Sequence, residues 1–260
     1  MGKPLKNPPV YFTVAQVRFN MLLKLADYLP SIQEGLRKAG FPAFTHHTTM
    51  ALQFSIQEGK PVPQPVSQDQ YLFANSEQTH CFVLGQDTLT FQSTNYGTFE
   101  VFSKAFLKGL ELVHEVVTLD FTDRVGLRYL DQVSPKAGES LESYIVPEAQ
   151  GIGARLGGEP MHSLSETLIA FGRVKLLARS VVQDKGLAFP PDLFPQEMQV
   201  QTRFAQVTGR HAILDTDGFV EGRELFSLTE VQTRLQEIHD VIGSAFKSTV
   251  TNHALATWDE

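Results

Sequence analysis

Asp123-Arg124-Val125-Gly126-Leu127-Arg128-Tyr129-Leu130-Asp131 lies near the middle of a 260-residue chain and has two unlike faces. Side chains alternate along a strand, so Val125, Leu127 and Tyr129 share one side while Arg124, Gly126, Arg128 and Leu130 share the other. The first side is apolar. The second carries two guanidinium groups ~13 Å apart, at about 3.3 Å per residue. This stretch reads as a central strand, for which the rest of the chain supplies packing on one face and acidic company on the other.

Acidic company occurs at Leu214-Asp215-Thr216-Asp217-Gly218. These residues close a predicted strand at a Gly218 turn, and alternation puts both aspartates on one side with Cα atoms ~7 Å apart. Three uses compete for them: bidentate pairing with Arg124 and Arg128 from a neighbouring strand, binding of a divalent cation, and solvation of the strand end. Two carboxylates are too few ligands for Mg²⁺ or Ca²⁺, although Asp131, Asp120 and Glu221 are of a type to complete a set. Ion-pair networks are the commoner origin of such clusters, so pairing or solvation is preferred. For the arginines, stabilising a sheet face competes with capturing a carboxylate or phosphate of a partner, a task that suits Arg better than Lys. The candidate binding residues are Arg124, Arg128, Tyr129, Asp215 and Asp217; no catalytic residue, metal ligand or cofactor is assigned.

Working outward, residues 10–19 predict a strand rich in β-branched and aromatic side chains. Leu22, Leu25, Leu29, Ile32 and Leu36 recur at helical spacing. Pro30 divides them into a short turn and a main helix that starts at Pro30 and ends at Gly40. Residues 43–56 return to strand character, and 59–65, with alternating prolines, read as a turn or linker. Strands at 71–74, 80–84 and 88–92 follow, the last two joined through Gly85-Gln86-Asp87. Thr98 is the expected cap of a helix whose apolar stripe is Phe99, Phe102, Phe106, Leu110 and Val113.

Beyond the central strand, 140–149 predicts a short helix carrying Tyr144 and Ile145. The glycine-rich 151–158 does not lead from a strand into a helix, so it is a loop rather than a phosphate cradle. Strands are predicted at 164–171, 174–182, 198–208 and 211–216, interrupted by a proline-bearing excursion at 189–195. Thr229 and Gln232 suggest a capping box for a last helix, with Val231, Leu235, Ile238, Ile242 and Phe246 as its buried stripe. The fold expected is α+β, with one or two antiparallel sheets and long amphipathic helices packed on one face. Two similar halves, 1–135 and 136–260, would be separate α+β units or one continuous domain.

Nineteen phenylalanines against one tryptophan point to a core built on aromatic packing. A net charge of −7 repels a phosphate backbone, and Lys3 with Lys6 is too small a basic cluster to reverse this, so nucleic acid is disfavoured. Cys81 is the sole cysteine; with no internal disulfide open to it, the chain suits a reducing cytoplasm. Cys81 itself reads as a small buried apolar residue. No apolar run approaches the ~20 residues of a membrane span, there is no signal-peptide core, and Lys6 stands where a myristoylation motif needs Ser or Thr. His46 and His47 point to opposite faces of a strand and cannot share a metal. No His-x-x-x-His pair, Gly-x-Ser-x-Gly elbow or nucleotide-binding loop occurs.

Six stretches occur in order over nearly the whole chain: Pro8-Pro9-Val10 leading to Val17-Arg18-Phe19, Ile32-Gln33-Glu34-Gly35-Leu36-Arg37, Tyr96-Gly97-Thr98-Phe99-Glu100-Val101-Phe102, Arg124-Val125-Gly126-Leu127-Arg128-Tyr129, Leu214-Asp215-Thr216-Asp217, and Ile238-His239 with Phe246. Together they resemble a sporadically distributed bacterial protein family of unknown function, whose members tend to carry Asn where this chain has Asp131. The resemblance implies a stand-alone bacterial protein of the patchily distributed kind that includes toxin partners and phage-defence components. It carries over no activity and no catalytic residue. The first functional expectation is therefore a non-enzymatic cytoplasmic protein-binding component of antitoxin, immunity or phage-defence accessory type. A metal-dependent phosphoryl or phosphodiester enzyme using Asp215 and Asp217 is the second, and a small-ligand-binding protein the third. The partners expected are another protein and, through paired helices or an edge strand, a second copy of the chain.

Overall fold

The computed structural model describes residues 5–260 except 58, 59, 157, 159, 160, 185, 194 and 196; the side chains of 49–67 and of 154 also fall outside the description. Lys3, Gly59, Gly157 and Phe194, all used in the sequence reading, thus lie outside the described residues. The chain runs β1 (Val10–Phe19), α1 (Leu25–Lys38), β2 (Ala43–Gln57), β3 (Lys60–Ala74), β4 (His80–Leu84), β5 (Thr88–Ser93), α2 (Phe99–Val117) and β6 (Phe121–Val133). It continues through β7 (His162–Phe171), β8 (Val174–Gln183), α3 (Thr202–Ala205), β9 (His211–Leu225), α4 (Leu228–Thr249) and α5 (Asn252–Trp258).

Nine strands form one antiparallel sheet in the order β2-β3-β4-β5-β1-β6-β9-β8-β7. The central stretch is β6. On one side it pairs with β1, setting Arg18 opposite Arg124, Gln16 opposite Gly126 and Val14 opposite Arg128. On the other it pairs with β9, setting Asp217 opposite Arg128 and Asp215 opposite Leu130. The β6–β9 ladder is also the seam between 1–135 and 136–260, which contribute β1–β6 and β7–β9 respectively.

The apolar face of β6 meets the long helices. Val125, Leu127 and Tyr129 share one core with Ile32 and Leu36 of α1, Phe102, Phe106 and Leu110 of α2, and Val231, Leu235 and Ile238 of α4. Aromatic packing runs through it, as expected: the rings of Phe82 and Phe91 stack with centroids 4.4 Å apart. The short α3 departs from this arrangement, because its Phe204 packs with Tyr11, Phe12 and Leu130, the residue that alternates to the arginine side of β6. Cys81 is fully buried against Leu72 and Ala74, and burial pushes its thiol up to about 12.

Several local expectations are corrected. α1 begins at Leu25 and runs through Pro30, close enough to the N-terminus that only one helix bond is forfeited. It ends as read, with Gly40 at φ +98° and Phe41 N–H returning to the Leu36 carbonyl. The described part of the proline run is strand, not linker: Lys60, Pro61, Val62, Pro63, Gln64 and Pro65 pair with β2. Prolines two apart direct their missing N–H to the same side, and among the described residues β4 pairs with β3 only at Tyr71–Ala74, so no strand ladder needs those N–H groups. Residues 140–149 form two 3-10 turns rather than an α-helix.

Residues 198–208 hold the single turn α3 instead of a strand, with Phe204 turned into the core. β9 does not stop at Gly218 but continues to Leu225. Gly218 lies under α4, where a Cβ would come within 2.5 Å of Ile238 Cγ2, so this glycine permits close helix–sheet approach and makes no turn. The cap of α4 is Ser227, whose Oγ accepts from Glu230 N–H at 3.3 Å, not Thr229.

Gly109 plays the same role in α2. A Cβ there would overlap ring carbons of Phe82. Alanine favours a helix interior by up to about 1 kcal/mol, whereas overpacking costs about 1–3 kcal/mol. Gly109→Ala is expected to lower stability in urea by about 1 kcal/mol on that balance. A gain would mean that α2 is free to back away from the sheet.

Candidate functional site

On the face of β6 away from α2 and α4 the structure assembles four of the five sequence-derived binding residues. Arg128 is the most engaged. Its Nε donates to Asp215 Oδ1 and its Nη2 to Asp215 Oδ2, both at 2.7 Å. Its outer edge donates to Asp192, Nη1 to Oδ2 at 2.6 Å and Nη2 to Oδ1 at 3.4 Å. Burial works against its charge, but these hydrogen bonds prevail and hold it above the ordinary arginine value. The Arg128 and Asp215 side chains are 8% and 3% exposed, whereas Asp192 is 63% exposed. A third arginine, Arg179 on β8, reaches Asp215 Oδ2 at 3.4 Å and donates through Nε to Glu166 at 2.6 Å. Pairing, rather than strand-end solvation, is what Asp215 does.

Arg124 is far less satisfied. Among the described residues its one hydrogen bond runs from Nη1 to Gln16 Oε1 at 3.2 Å. Its nearest carboxylate, Asp217 Oδ1, is 3.7 Å from Nη2, beyond hydrogen-bonding range. The guanidinium lies 4.8 Å from the centre of the Phe219 ring, a cation–π contact. It also lies across Gly126, where a Cβ would come within 2.7 Å of Nη1. The missing side chain at 126 is therefore what lets Arg124 fold over the sheet toward Asp217. Burial pulls Arg124 below its ordinary value, and burial raises Asp217, with Arg124 and Arg128 opposing. Among the described residues the Asp217 carboxylate accepts no hydrogen bond. Next to Arg124, Arg18 is 55% exposed and comes no closer than 3.7 Å to Asp87.

These groups enclose an open cleft of about 280 Å³. Gly126 and Leu127 form its floor, Val14, Gln16 and Arg18 one wall, Arg124, Arg128 and Asp217 another, and Asp192 with Leu193 overhangs it. Sequence reasoning missed Gln16, Arg18, Asp192 and Leu193. The first two become visible once β1 is paired with β6 in register, and the last two belong to the proline excursion, whose path over the sheet no local pattern announces.

Tyr129 is not part of this cleft. It is buried on the opposite face, where its hydroxyl lies 2.8 Å from Tyr96 Oη and 3.2 Å from His239 Nδ1. The ring of His239 stacks on Phe99 with centroids 4.0 Å apart. Asp131 also lies on that face, and Glu221 pairs with Lys175 at 2.9 Å, so neither completes a ligand set with Asp215 and Asp217. Among the described residues no group of three His, Cys, Asp or Glu is placed to hold a metal ion. His46 and His47 go to separate carboxylates, Asp69 and Glu197. Among the described residues no helix is long and apolar enough to cross a membrane.

No protein-family model matches the sequence, and no curated protein matches it.

Proposed function

We propose that this chain is a non-catalytic binding protein that takes one carboxylate of a protein partner into the cleft above Gly126. The observation that carries this reading is the pair Arg18 and Arg124. They stand directly opposite on β1 and β6, and among the described residues neither has a carboxylate closer than 3.7 Å. Like charges directly opposite in a sheet cost stability. A guanidinium with unused donors in a half-buried cleft is stabilised when a planar carboxylate fills its fork. The occupant is a local acidic group and not a long acidic tract, because a chain of net charge −7 repels the latter at long range while the former feels the nearby guanidiniums of Arg18, Arg124 and Arg128, with Asp217 opposing. The single cysteine favours a cytoplasmic setting, and the family resemblance favours a bacterial one with a toxin or phage-defence component as the partner.

The probe is an acetylated, amidated Glu-Glu dipeptide, with Gln-Gln as its control, titrated into the full chain at fixed ionic strength. Glu-Glu is expected to bind and Gln-Gln not. Arg124→Gln should weaken binding about tenfold or more, the worth of a charge-assisted hydrogen bond. It should cost less stability than losing Asp215 does, because Arg124 gives up one hydrogen bond to Gln16 and a 3.7 Å contact with Asp217 rather than a two-bond ion pair. Equal binding of the two dipeptides, or an Arg124→Gln variant that binds like the parent chain, ends the proposal. A free dicarboxylate such as glutarate binding far more tightly than the dipeptide would favour the small-ligand reading instead.

A further inference from the structure

Arg128 presents two edges to two very different aspartates. The inner edge is closed by Asp215, which is buried and comes from the neighbouring strand of the same sheet. The outer edge, which faces the cleft, is closed by Asp192, which is largely exposed. Asp192 sits in a turn closed by Leu193 N–H donating to the Pro190 carbonyl at 2.9 Å. The chain leading into this turn is anchored without Asp192: Tyr11 Oη donates to the Ala188 carbonyl at 2.6 Å, and Phe189 packs edge-on to Tyr11 and Phe12. The far side is anchored again where Gln199 N–H donates to the Gln78 carbonyl at 2.8 Å. The turn is thus tethered at both flanks and rests on the cleft through Leu193, which packs against the cluster of Tyr11, Phe12 and Leu130, and through one exposed carboxylate, that of Asp192.

We infer that Asp192 is an exchangeable internal occupant of the arginine cleft, holding on the outer edge of Arg128 the place that the carboxylate of a bound partner takes. This rests on the binding reading above and goes further. It says that the outer edge of Arg128 is part of the site, and that the 190–193 turn must release it for binding to proceed. It also gives the class of the ligand. The group the chain itself places on that edge is a planar carboxylate making two contacts, so a carboxylate is what the edge accepts. An internal occupant lowers apparent affinity by the fraction of molecules in which it is released. An ion pair with one exposed partner is weak enough to exchange.

The test compares the full chain with Asp192→Asn and Asp192→Glu, using the blocked Glu-Glu dipeptide. Asp192→Asn removes the competing charge and is expected to tighten binding about three- to tenfold. Asp192→Glu restores a competitor and should bring affinity back toward that of the parent. In the parent chain, saturation with the dipeptide should speed hydrogen exchange at the Leu193 amide, which the released turn no longer protects. If the parent and Asp192→Asn bind equally well and Leu193 exchange is unmoved, the carboxylate site stands and the exchange idea falls. If neither protein binds the dipeptide, both fall. If inorganic phosphate is tightened by Asp192→Asn and speeds Leu193 exchange while the dipeptide does neither, the carboxylate assignment is overturned.

Discussion

Asp215→Ala is expected to lower the free energy of unfolding by about 3–5 kcal/mol, the penalty of leaving a buried charge without its partner. Both oxygens of Asp215 are used by Arg128 at 2.7 Å, and a further 3.4 Å contact comes from Arg179. Without Asp215, Arg128 keeps among the described residues only the exposed Asp192, on its outer edge, while its Nε loses its acceptor. The loss reports an orphaned charge and not the net worth of the pair, so removing both charges should cost less than removing one. Arg128→Met combined with Asp215→Ala is accordingly expected to be more stable than Asp215→Ala alone. Asp217→Ala supplies the contrast. Its carboxylate lies 3.7 Å from Arg124 and burial already disfavours its charge, so its removal should cost less than about 1 kcal/mol. Urea titrations of the three variants decide the matter, and equal losses for Asp215→Ala and Asp217→Ala would contradict the ranking of the two sites.

Asp131 carries the second large effect, and it is one of pH. Its carboxylate is buried beside Tyr129 and, among the described residues, accepts no hydrogen bond; burial raises it from 3.8 to about 7. The folded chain therefore keeps a proton that the unfolded chain releases between pH 4 and pH 7. Stability from this group is fully present below pH 4, falls as pH rises through that window, and levels off above pH 7. The total is on the order of 2–4 kcal/mol. Tyr11, Tyr96 and Tyr129 feel the charge, but their hydroxyls are held above the ordinary tyrosine range and do not titrate there. Asp217, also raised by burial, contributes a slope of the same sign, so the informative quantity is a difference. The stability of the parent chain minus that of Asp131→Asn should decline from pH 4 to pH 7. Parallel curves would show that Asp131 is solvated in the fold.

What the sequence made legible was whatever depends on short-range alternation. The two faces of Arg124 to Leu130, the shared face of Asp215 and Asp217, and the stripes of α2 and α4 all follow from spacing, and the structure has them. What it hid depends on contacts between distant segments. Gly218 looks like a turn until Ile238 is seen lying on it. Pro61, Pro63 and Pro65 look like a linker until β2 pairs beside them. Thr229 is as good a cap by type as Ser227, and only the helix start separates them. Tyr129 was legible as a core residue from its company with Val125 and Leu127, and that is where the structure places it, away from the other four binding candidates. Half of the cleft, Arg18 and Gln16 from β1 and Asp192 from the excursion, exists only through cross-strand register and the path of a loop.

The side-chain Nε–Hε resonance of Arg124, followed by nitrogen-15 NMR while the blocked Glu-Glu dipeptide is added to the full chain, tests the central claim most directly. A saturable shift of that resonance, shared by Arg128 and absent with Gln-Gln, is the result predicted. An Arg124 signal that stays in place while the dipeptide saturates another surface would contradict it.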